Sequence, residues 1–293
     1  MKITTGTMPF KGYKTWYRIV EGERTDKPPI LLLHGGPGST HNYMELLDVL
    51  ADTGRAVISY DQLGCGESYV EGHPELWTMN TWLEELISLR QHLGLDCLHI
   101  MGQSFGGMLL LQYLCDHPKG ISSAILSSTL PASWLWAKEQ HRMIRYMSEE
   151  DQQAIAQAEA TDDYTDPAYL AANDRYMELH CASTPTENSP ECLRRPKRSG
   201  TESYRVGWGP NEYTPTGTLK DYDVIDQLPG IQTPCLIISG TDDLCTPLVA
   251  KTMLDALPHS QWELMEKCRH MCFADDNPKY VAIMRNWLEK HDQ

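Results

Sequence analysis

A serine between two apolar runs is the first residue of this sequence that could do covalent chemistry. Ser104 lies in the pentapeptide Gly-Gln-Ser-Phe-Gly, directly after an apolar run at 97–101 and just before another at 108–114. The first run predicts a short buried strand and the second predicts a helix. A strand that turns into a helix over so few residues strains its central residue, and neighbouring glycines make this possible. The pattern predicts that Ser104 is a nucleophile presented at the turn.

Two later segments offer a base and an acid for this serine. An activated serine needs a base that accepts its proton and an acid that holds the base in one tautomer. His270 follows a predicted strand at 262–265. Asp243 follows a predicted strand at 235–239, and the adjacent Asp242 is the alternative acid. In a parallel sheet these loops would meet at the edge that carries the serine. The chain order Ser, Asp, His is typical of α/β hydrolases.

A glycine-rich segment offers backbone donors for the same reaction. Residues 34–38 read His-Gly-Gly-Pro-Gly and follow a continuous apolar run at 30–33. Attack on a carbonyl produces an oxyanion, and one preorganised N–H donor can stabilise it by about 3 to 4 kcal/mol. Glycine allows the backbone to approach a substrate closely. We therefore expect the N–H groups of Gly36 and Phe105 to form an oxyanion hole.

The elements that must position these residues alternate between strands and helices. Apolar runs without polar interruption predict strands that are covered on both faces, as in a parallel sheet. From 130 to 218 the sequence has helical stretches and no strand-like run, and the alternating pattern then resumes. We predict an α/β core formed by 1–129 and 219–293, with a helical cap inserted at 130–218. The predicted strands cover 15–20, 30–33, 56–60, 97–101, 121–127, 235–239 and 262–265, and the predicted core helices lie near 43–50, 81–93, 105–114, 248–257 and 279–290.

Charge and cysteine content restrict the partners and the compartment. Lys and Arg number 25 against 40 Asp and Glu, which gives a net charge of −15 and repels polyanions such as nucleic acid. The nine cysteines are odd in number and scattered, as expected for free thiols in a reducing compartment. No signal peptide or membrane-length apolar run is visible. We expect a cytoplasmic protein that binds neither nucleic acid nor membrane.

No cofactor or metal motif accompanies the candidate nucleophile. Cys268, His270 and Cys272 alternate without a second cluster, which matches no structural zinc pattern. A Gly-Lys-Ser/Thr phosphate loop is absent, and the Gly-Cys-Gly at 64–66 lacks the third glycine of a dinucleotide fingerprint. The expected chemistry therefore uses no metal and no cofactor.

Five segments form a combined pattern that is more specific than any one of them. They are His-Gly-Gly-Pro-Gly at 34–38, Asp-Gln-Leu-Gly-Cys-Gly-Glu-Ser at 61–68, Gly-Gln-Ser-Phe-Gly-Gly at 102–107, Gly-Pro-Asn-Glu-Tyr at 209–213 and Gly-Thr-Asp-Asp-Leu-Cys-Thr-Pro at 240–247. Together they resemble the proline iminopeptidase family over nearly the whole chain. The resemblance implies a cytoplasmic, metal-free serine peptidase of the α/β-hydrolase fold. Such an enzyme removes proline from a small peptide with a free N-terminus, beneath a helical cap.

The resemblance also implies roles for individual residues. By motif, the nucleophile is Ser104, the acid is Asp243 rather than Asp242, and the base is His270. Glu212 matches the carboxylate with which the family binds the charged amino terminus of the substrate.

Two positions depart from the family pattern. Phe105 stands where many members have Trp, a mild change because the chemistry uses only the N–H. Leu244 stands where many members have Glu as a second ligand of the substrate amine. One carboxylate instead of two predicts weaker amine recognition, unless Asp242 or a cap residue substitutes. Other N-terminal residues or amino acid amides then become possible substrates.

Three classes of function fit these observations. The first is an aminopeptidase, the second is an amidase or esterase with the same triad, and the third is a non-catalytic binding protein of the same fold. The third is disfavoured because no triad position is lost. In the first class, the cap would enclose the first substrate residue among aromatic side chains such as Trp134, Trp136, Tyr146 and Trp208.

Overall fold

An eight-stranded, mostly parallel sheet organises the computed structural model, which describes residues 1–292. The strands are β1 (Lys2–Phe10), β2 (Tyr13–Glu21), β3 (Ile30–Leu33), β4 (Val57–Asp61), β5 (Leu98–Gln103), β6 (Ile121–Ser127), β7 (Cys235–Gly240) and β8 (Ser260–Met265). Their order across the sheet is β1-β2-β4-β3-β5-β6-β7-β8. The pairs β1–β2 and β2–β4 are antiparallel, and the remaining pairs are parallel. The prediction of a mostly parallel α/β sheet is confirmed.

Helices pack on both faces of this sheet and fill the segment between β6 and β7. The α-helices are α1 (Met79–His92), α2 (Phe105–Cys115), α3 (Ser133–Ile144), α4 (Glu149–Thr161), α5 (Pro167–His180), α6 (Glu191–Arg194), α7 (Thr201–Gly207), α8 (Pro247–Ala256), α9 (Cys272–Asp275) and α10 (Asn277–Lys290). Short 3-10 helices cover Asn42–Thr53, Gly66–Ser68, Pro74–Leu76 and Ile225–Gly230. Helices α3 to α7 all lie between β6 and β7, so this segment is helical as expected. Its division from the core at 130 and 218 remains a prediction.

Across residues 1–292, every helix is too short or too polar to span a bilayer.

The amino-terminal hairpin is the main element that the sequence pattern does not predict. Residues 2–10 form β1, which pairs with β2 over its whole length. Most of β1 is exposed, and only Met8 and Phe10 are buried, so the strand lacks a clear apolar alternation. The turn between the strands uses left-handed backbone at Lys11 and Gly12, a conformation typical of tight hairpins. An edge strand of this kind is held by its ladder of hydrogen bonds more than by burial.

The sheet separates two hydrophobic layers. Leu31 and Leu33 of β3 face the layer that contains α1 and α2, whereas Ile30 and Leu32 face the layer that contains α10. All four side chains are at most 1 % exposed. Burial of each such side chain stabilises the fold by about 1.5 to 3 kcal/mol. The unbroken apolar run therefore reflects a strand that is covered on both sides.

A buried carboxyl group on α1 holds the loop that follows β4. Glu85 has no solvent exposure. Its oxygens accept hydrogen bonds from the N–H of Leu63 at 2.9 and 3.1 Å and from the hydroxyl of Thr15 at 2.5 Å. The pKa of Glu85 is raised to about 7, chiefly by burial and to a smaller extent by the charge of Asp61. The hydrogen bonds from Thr15 and Leu63 favour the ionised form and act in the opposite direction. Glu85 is thus a titrating group inside the fold.

Replacing this group should change how stability depends on pH. Because the pKa of Glu85 in the folded state lies above its unfolded value, the folded protein binds more protons between about pH 4.5 and pH 7. The free energy of unfolding should therefore fall as pH rises through that interval. Glu85→Gln should flatten the dependence by about 2 to 3 kcal/mol in urea denaturation at pH 5.5, 7 and 8. The matched control is Glu84→Gln, which alters the exposed neighbour on α1. Equal slopes for wild type and Glu85→Gln would contradict the assignment.

Candidate active site

The candidate nucleophile occupies a strained turn between β5 and α2. Ser104 has φ 55° and ψ −123°, an uncommon conformation for a residue with a side chain. A Cβ atom on Gly102 would collide with the carbonyl oxygen of Gly106, and one on Gly106 would collide with the carbonyl oxygen of Leu33. The two glycines therefore permit the close approach that the turn requires. Ser104 is 9 % exposed and lies at the predicted strand-to-helix turn.

The candidate acid and base form a buried hydrogen-bonded pair. The Nδ1 atom of His270 lies 2.9 Å from Oδ1 of Asp243. The same oxygen accepts the N–H of Cys245 at 2.8 Å. The other oxygen accepts the hydroxyl of Ser128 at 2.6 Å and the N–H of Gly240 at 3.1 Å. Because four donors surround this carboxylate, its orientation toward the imidazole is fixed.

The neighbouring aspartate does not take part in this pair. Asp242 is exposed, and its backbone carbonyl accepts a hydrogen bond from Nδ1 of His180 at 2.9 Å. Asp243, by contrast, is 1 % exposed and contacts His270. Of the two adjacent candidates, the structure brings only Asp243 to the imidazole.

The loop that carries the imidazole is tied to the nucleophile turn and to the helical segment. The N–H of His270 donates to the carbonyl of His180 at 2.9 Å. Its own carbonyl accepts a hydrogen bond from Nε2 of Gln103, the residue before Ser104, at 3.4 Å. The ring of Trp136 on α3 meets the imidazole edge to face at 5.7 Å between centroids. The helical segment therefore forms one wall of the site.

The glycine-rich loop lies directly against the nucleophile. A Cβ atom on Gly35 would approach Cβ of Ser104 to 3.0 Å. The N–H of Gly35 donates to the hydroxyl of Tyr43 at 2.5 Å, and this hydroxyl donates to Oε1 of Gln103 at 2.8 Å. Tyr43 and Gln103 thus fix the distance between the loop and the turn. Neither residue is singled out by the sequence pattern.

The two backbone groups proposed for the oxyanion hole are available as donors. Gly36 has φ 118°, a value that disfavours any residue with a side chain. Phe105 is the first residue of α2, where the N–H groups point out of the helix end. Within residues 1–292, neither N–H donates a hydrogen bond to a protein acceptor. Both are therefore free to donate to a substrate oxygen.

Glu212 lines a cavity of about 360 Å³ next to the glycine-rich loop. Its Oε1 accepts the hydroxyl of Tyr204 at 2.7 Å, and its backbone carbonyl accepts Nε1 of Trp136 at 2.9 Å. Burial raises the pKa of Glu212, while the charge of His270 and the hydrogen bond from Tyr204 act in the opposite direction. Pro37 of the glycine-rich loop lines the same cavity. The carboxylate predicted to bind an amine therefore shares the site with the acid–base pair.

A second carboxylate for an amine is not provided by the residues that the sequence suggested. Leu244 is fully buried, and Asp242 is exposed. Glu139 of α3 is a buried carboxylate that is bonded to the loop after β7, where it accepts a hydrogen bond from the hydroxyl of Thr246 at 2.7 Å. Glu139 is already paired with Arg142 at 2.9 and 3.0 Å. Glu212, in contrast, has no basic side chain paired with it in residues 1–292 and lines a cavity.

The cap aromatics fall into two groups. Trp136 and Trp208 are 1 % and 4 % exposed, and Trp136 contacts the imidazole of the site. Trp134 and Tyr146 are 52 % and 80 % exposed. The expectation that Trp134 and Tyr146 enclose a substrate residue is wrong, because Trp134 lies on the solvent face of α3 and Tyr146 lies in the exposed turn that follows α3.

Ser128 is a functional residue that sequence reasoning missed. It follows β6 directly, has a positive φ of 45° and donates to Asp243. The available signal was its place immediately after a buried strand, at the sheet edge where Ser104 also lies. The hydroxyl of Ser128 is thus one of the donors that orient the carboxylate of Asp243.

One group of three potential metal ligands lies beneath the glycine-rich loop. His34, Asp61 and Cys65 present ligand atoms within 4.8 Å of one another. Nε2 of His34 accepts the N–H of Gln62 at 3.0 Å, and Asp61 accepts both the N–H and Nδ1 of His41. Burial lowers the pKa of His34 to about 4, so its ring is a neutral acceptor. These atoms already serve the hydrogen bonds that join two loops.

Comparisons with known proteins match the whole chain. A family model for the alpha/beta hydrolase fold matches residues 28–277. The chain is 58 % identical to the proline iminopeptidase of Clostridioides difficile (strain 630) and 56 % identical to that of Clostridium botulinum (strain Hall), with 100 % of both chains covered in each case. A crystal structure of the Mycobacterium smegmatis proline iminopeptidase superposes with a TM-score of 0.87 at 29 % identity over 99 % of each chain. The crystal structure of VinJ gives a TM-score of 0.90 at 30 % identity, over 98 % of this chain and 99 % of the other.

Removing the Ser128 hydroxyl tests the importance of the fixed carboxylate. Ser128→Ala leaves one oxygen of Asp243 short of a donor, at a cost of about 1 to 2 kcal/mol, or about 5- to 30-fold in kcat toward a nitrophenyl ester. The matched control is Ser123→Ala, because Ser123 is a buried serine on β6 that bonds His99 and Trp287 instead. Both variants should lose stability, and only Ser128→Ala should lose kcat. Equal kcat values for the two variants would contradict the role of Ser128.

Proposed function

Because the chain belongs to the proline iminopeptidase family of α/β hydrolases, we propose that it is a serine aminopeptidase that releases proline from the free N-terminus of short peptides. The predicted fold and family are confirmed by the comparisons. The observation that carries the proposal is the buried pair of Asp243 and His270, which lies at the same sheet edge as Ser104 and contacts Trp136, whose indole N–H bonds the backbone of Glu212.

The proposed reaction begins with attack by Ser104 on the carbonyl carbon of the first substrate residue. Nε2 of His270 accepts the hydroxyl proton as the new C–O bond forms. Asp243 holds the opposite ring nitrogen and stabilises the imidazolium that results. The N–H groups of Gly36 and Phe105 donate to the oxyanion, and each such donor contributes about 3 to 4 kcal/mol.

The second half of the reaction returns every group to its starting state. The imidazolium of His270 gives its proton to the leaving amine as the scissile C–N bond breaks, and the first residue remains as an ester on Ser104. Water then attacks this ester while Nε2 of His270 accepts a proton from the water. As the second intermediate collapses, the ester C–O bond breaks, His270 gives this proton to the oxygen of Ser104, and free proline is released.

Selection of a free N-terminus is assigned to Glu212. Its carboxylate lines the cavity beside the glycine-rich loop, and the oxygen that does not bond Tyr204 can accept from a substrate ammonium. In a site that excludes water, an ammonium that pairs with a carboxylate binds more strongly than at the surface. An acylated N-terminus has no positive charge and leaves the carboxylate unpaired, so it should be rejected.

A broader substrate range is the second candidate function, and one residue favours it. Leu244 occupies the position at which many family members have a second carboxylate, and it is fully buried. A single carboxylate restricts the substrate to free amines without demanding a particular ring geometry. Amino acid amides and other small N-terminal residues are therefore candidate substrates as well.

We further propose that the protein acts in the reducing cytoplasm. All nine cysteines are free thiols, and Cys65, Cys235, Cys245, Cys268 and Cys272 are buried. Free thiols persist where glutathione and thioredoxin keep cysteines reduced.

Neutralising Glu212 should remove the selection of free amines. Glu212→Gln should lower kcat/KM for proline arylamide by about 10- to 150-fold, since a charge-assisted contact of about 1.5 to 3 kcal/mol is lost. Hydrolysis of a nitrophenyl ester without an amine should change little. The control is Glu187→Gln, which removes an exposed carboxylate from the same insertion. If wild type cleaves N-acetylproline arylamide as fast as the free amine, Glu212 has no such role.

The nucleophile can be tested without knowledge of the natural substrate. A fluorophosphonate probe forms a covalent bond with activated serines, so it should label wild type and leave Ser104→Ala unlabelled by mass spectrometry. Labelling should fall in His270→Ala, because the hydroxyl then lacks its base. A wild-type protein that stays unlabelled at Ser104 would support a binding function over catalysis.

A further inference from the structure

A second cavity of about 480 Å³ lies against the loop that carries the candidate base. Arg269 and Met271, the residues on either side of His270 in the chain, both line it. The lining also includes Tyr43, Lys197 and residues of the connector at 182–193.

Neighbouring residues of one segment line the second cavity and the Glu212 cavity. Lys197 lines the second cavity, whereas Ser199, Gly200 and Thr201 line the Glu212 cavity. The N–H of Gly200 donates to the carbonyl of Gly38 at 2.8 Å, which holds this segment against the glycine-rich loop. For a peptide whose amino terminus lies at Glu212 and whose first carbonyl lies at that loop, the second cavity is the neighbouring space for the leaving part.

Lys197 is the cation of this cavity that lacks an internal partner. The guanidinium of Arg269 also lines the cavity but pairs with Asp275 at 2.7 Å. Lys197 is exposed, and no carboxylate of residues 1–292 is near enough to its ammonium to raise the pKa of Lys197, which the surrounding protein lowers by burial. An ammonium that lines a cavity without a carboxylate partner is available to an external anion.

We propose that Lys197 binds the C-terminal carboxylate of the leaving peptide and so makes the enzyme prefer short substrates with a free C-terminus. The inference rests on the proposed aminopeptidase function and specifies the part of the substrate beyond the scissile bond. An ammonium and a carboxylate form a charge-assisted hydrogen bond that an uncharged amide cannot replace. Because each peptide residue adds at most about 3.3 to 3.6 Å, the carboxylate can reach a fixed cation at only one or two chain lengths.

The test compares free acids with C-terminal amides at several lengths. Substrates are Pro-Ala, Pro-Ala-Ala and Pro-Ala-Ala-Ala, each as acid and as amide, together with proline arylamide. In wild type, the acid-to-amide ratio of kcat/KM should peak at one length, at about five- to tenfold. In Lys197→Met the ratio should fall to about one, mainly through KM, and Lys197→Arg should restore part of it. Cleavage of proline arylamide should be unchanged, because that substrate has no carboxylate.

The matched control removes the neighbouring positive charge. Arg198 stacks on the ring of Tyr69, with its guanidinium carbon 3.3 Å from the ring centroid, and does not line the cavity. Arg198→Met should therefore keep the wild-type ratio at every length. A ratio that is flat across lengths in wild type, or that survives in Lys197→Met, overturns the inference. Equal losses on all substrates, including the arylamide, overturn it as well. Failure of wild type to cleave any prolyl substrate would instead remove the proposed function, and the inference with it.

Discussion

The buried contact between Asp243 and His270 is the interaction on which the rest of the site depends. It joins two loops that are 27 residues apart, and it exists because β7 and β8 are parallel neighbours that end together at Gly240 and Met265. A hydrogen bond from the N–H of Asp242 to the carbonyl of Cys268 holds the two loops in register beyond the strands. Without this register the imidazole would have no fixed tautomer and no defined direction.

The same constraint operates on the neighbouring pair of strands. Gln103 at the end of β5 pairs with Ser127 at the end of β6, so the residues that follow, Ser104 and Ser128, lie side by side. Ser104 is the candidate nucleophile, and Ser128 donates a hydrogen bond to the carboxylate of Asp243. Both have positive φ values, and their strain is supported by the buried strands on either side. Two adjacent strand ends therefore serve the chemistry in different ways.

The sequence was most informative where one physical cause dominated. Continuous apolar runs located β3 and β4 to within a residue, because burial on both faces leaves no other pattern. Ser104 and Asp243 could be read because each follows such a run, whereas His270 follows the mostly exposed strand β8 and was identified from the chain order Ser, Asp, His. β1 was missed because an exposed edge strand carries no burial signal. The segment at 43–50 was expected to be helical, and it lies within a 3-10 helix, a distinction that apolar spacing does not resolve. Tyr43 and Lys197 gained their significance only from residues distant in sequence, which a local pattern does not contain.

The helical segment between β6 and β7 supplies Glu212, Trp136 and Lys197, whereas Ser104 and the acid–base pair come from strand ends of the sheet. Reaction and recognition are thus encoded in separate stretches of one polypeptide. Substitutions in the helical stretch can alter which substrates bind without disturbing the geometry of acyl transfer. This separation gives a lineage of such enzymes freedom to acquire new substrates by local change, while the reactive centre is inherited intact.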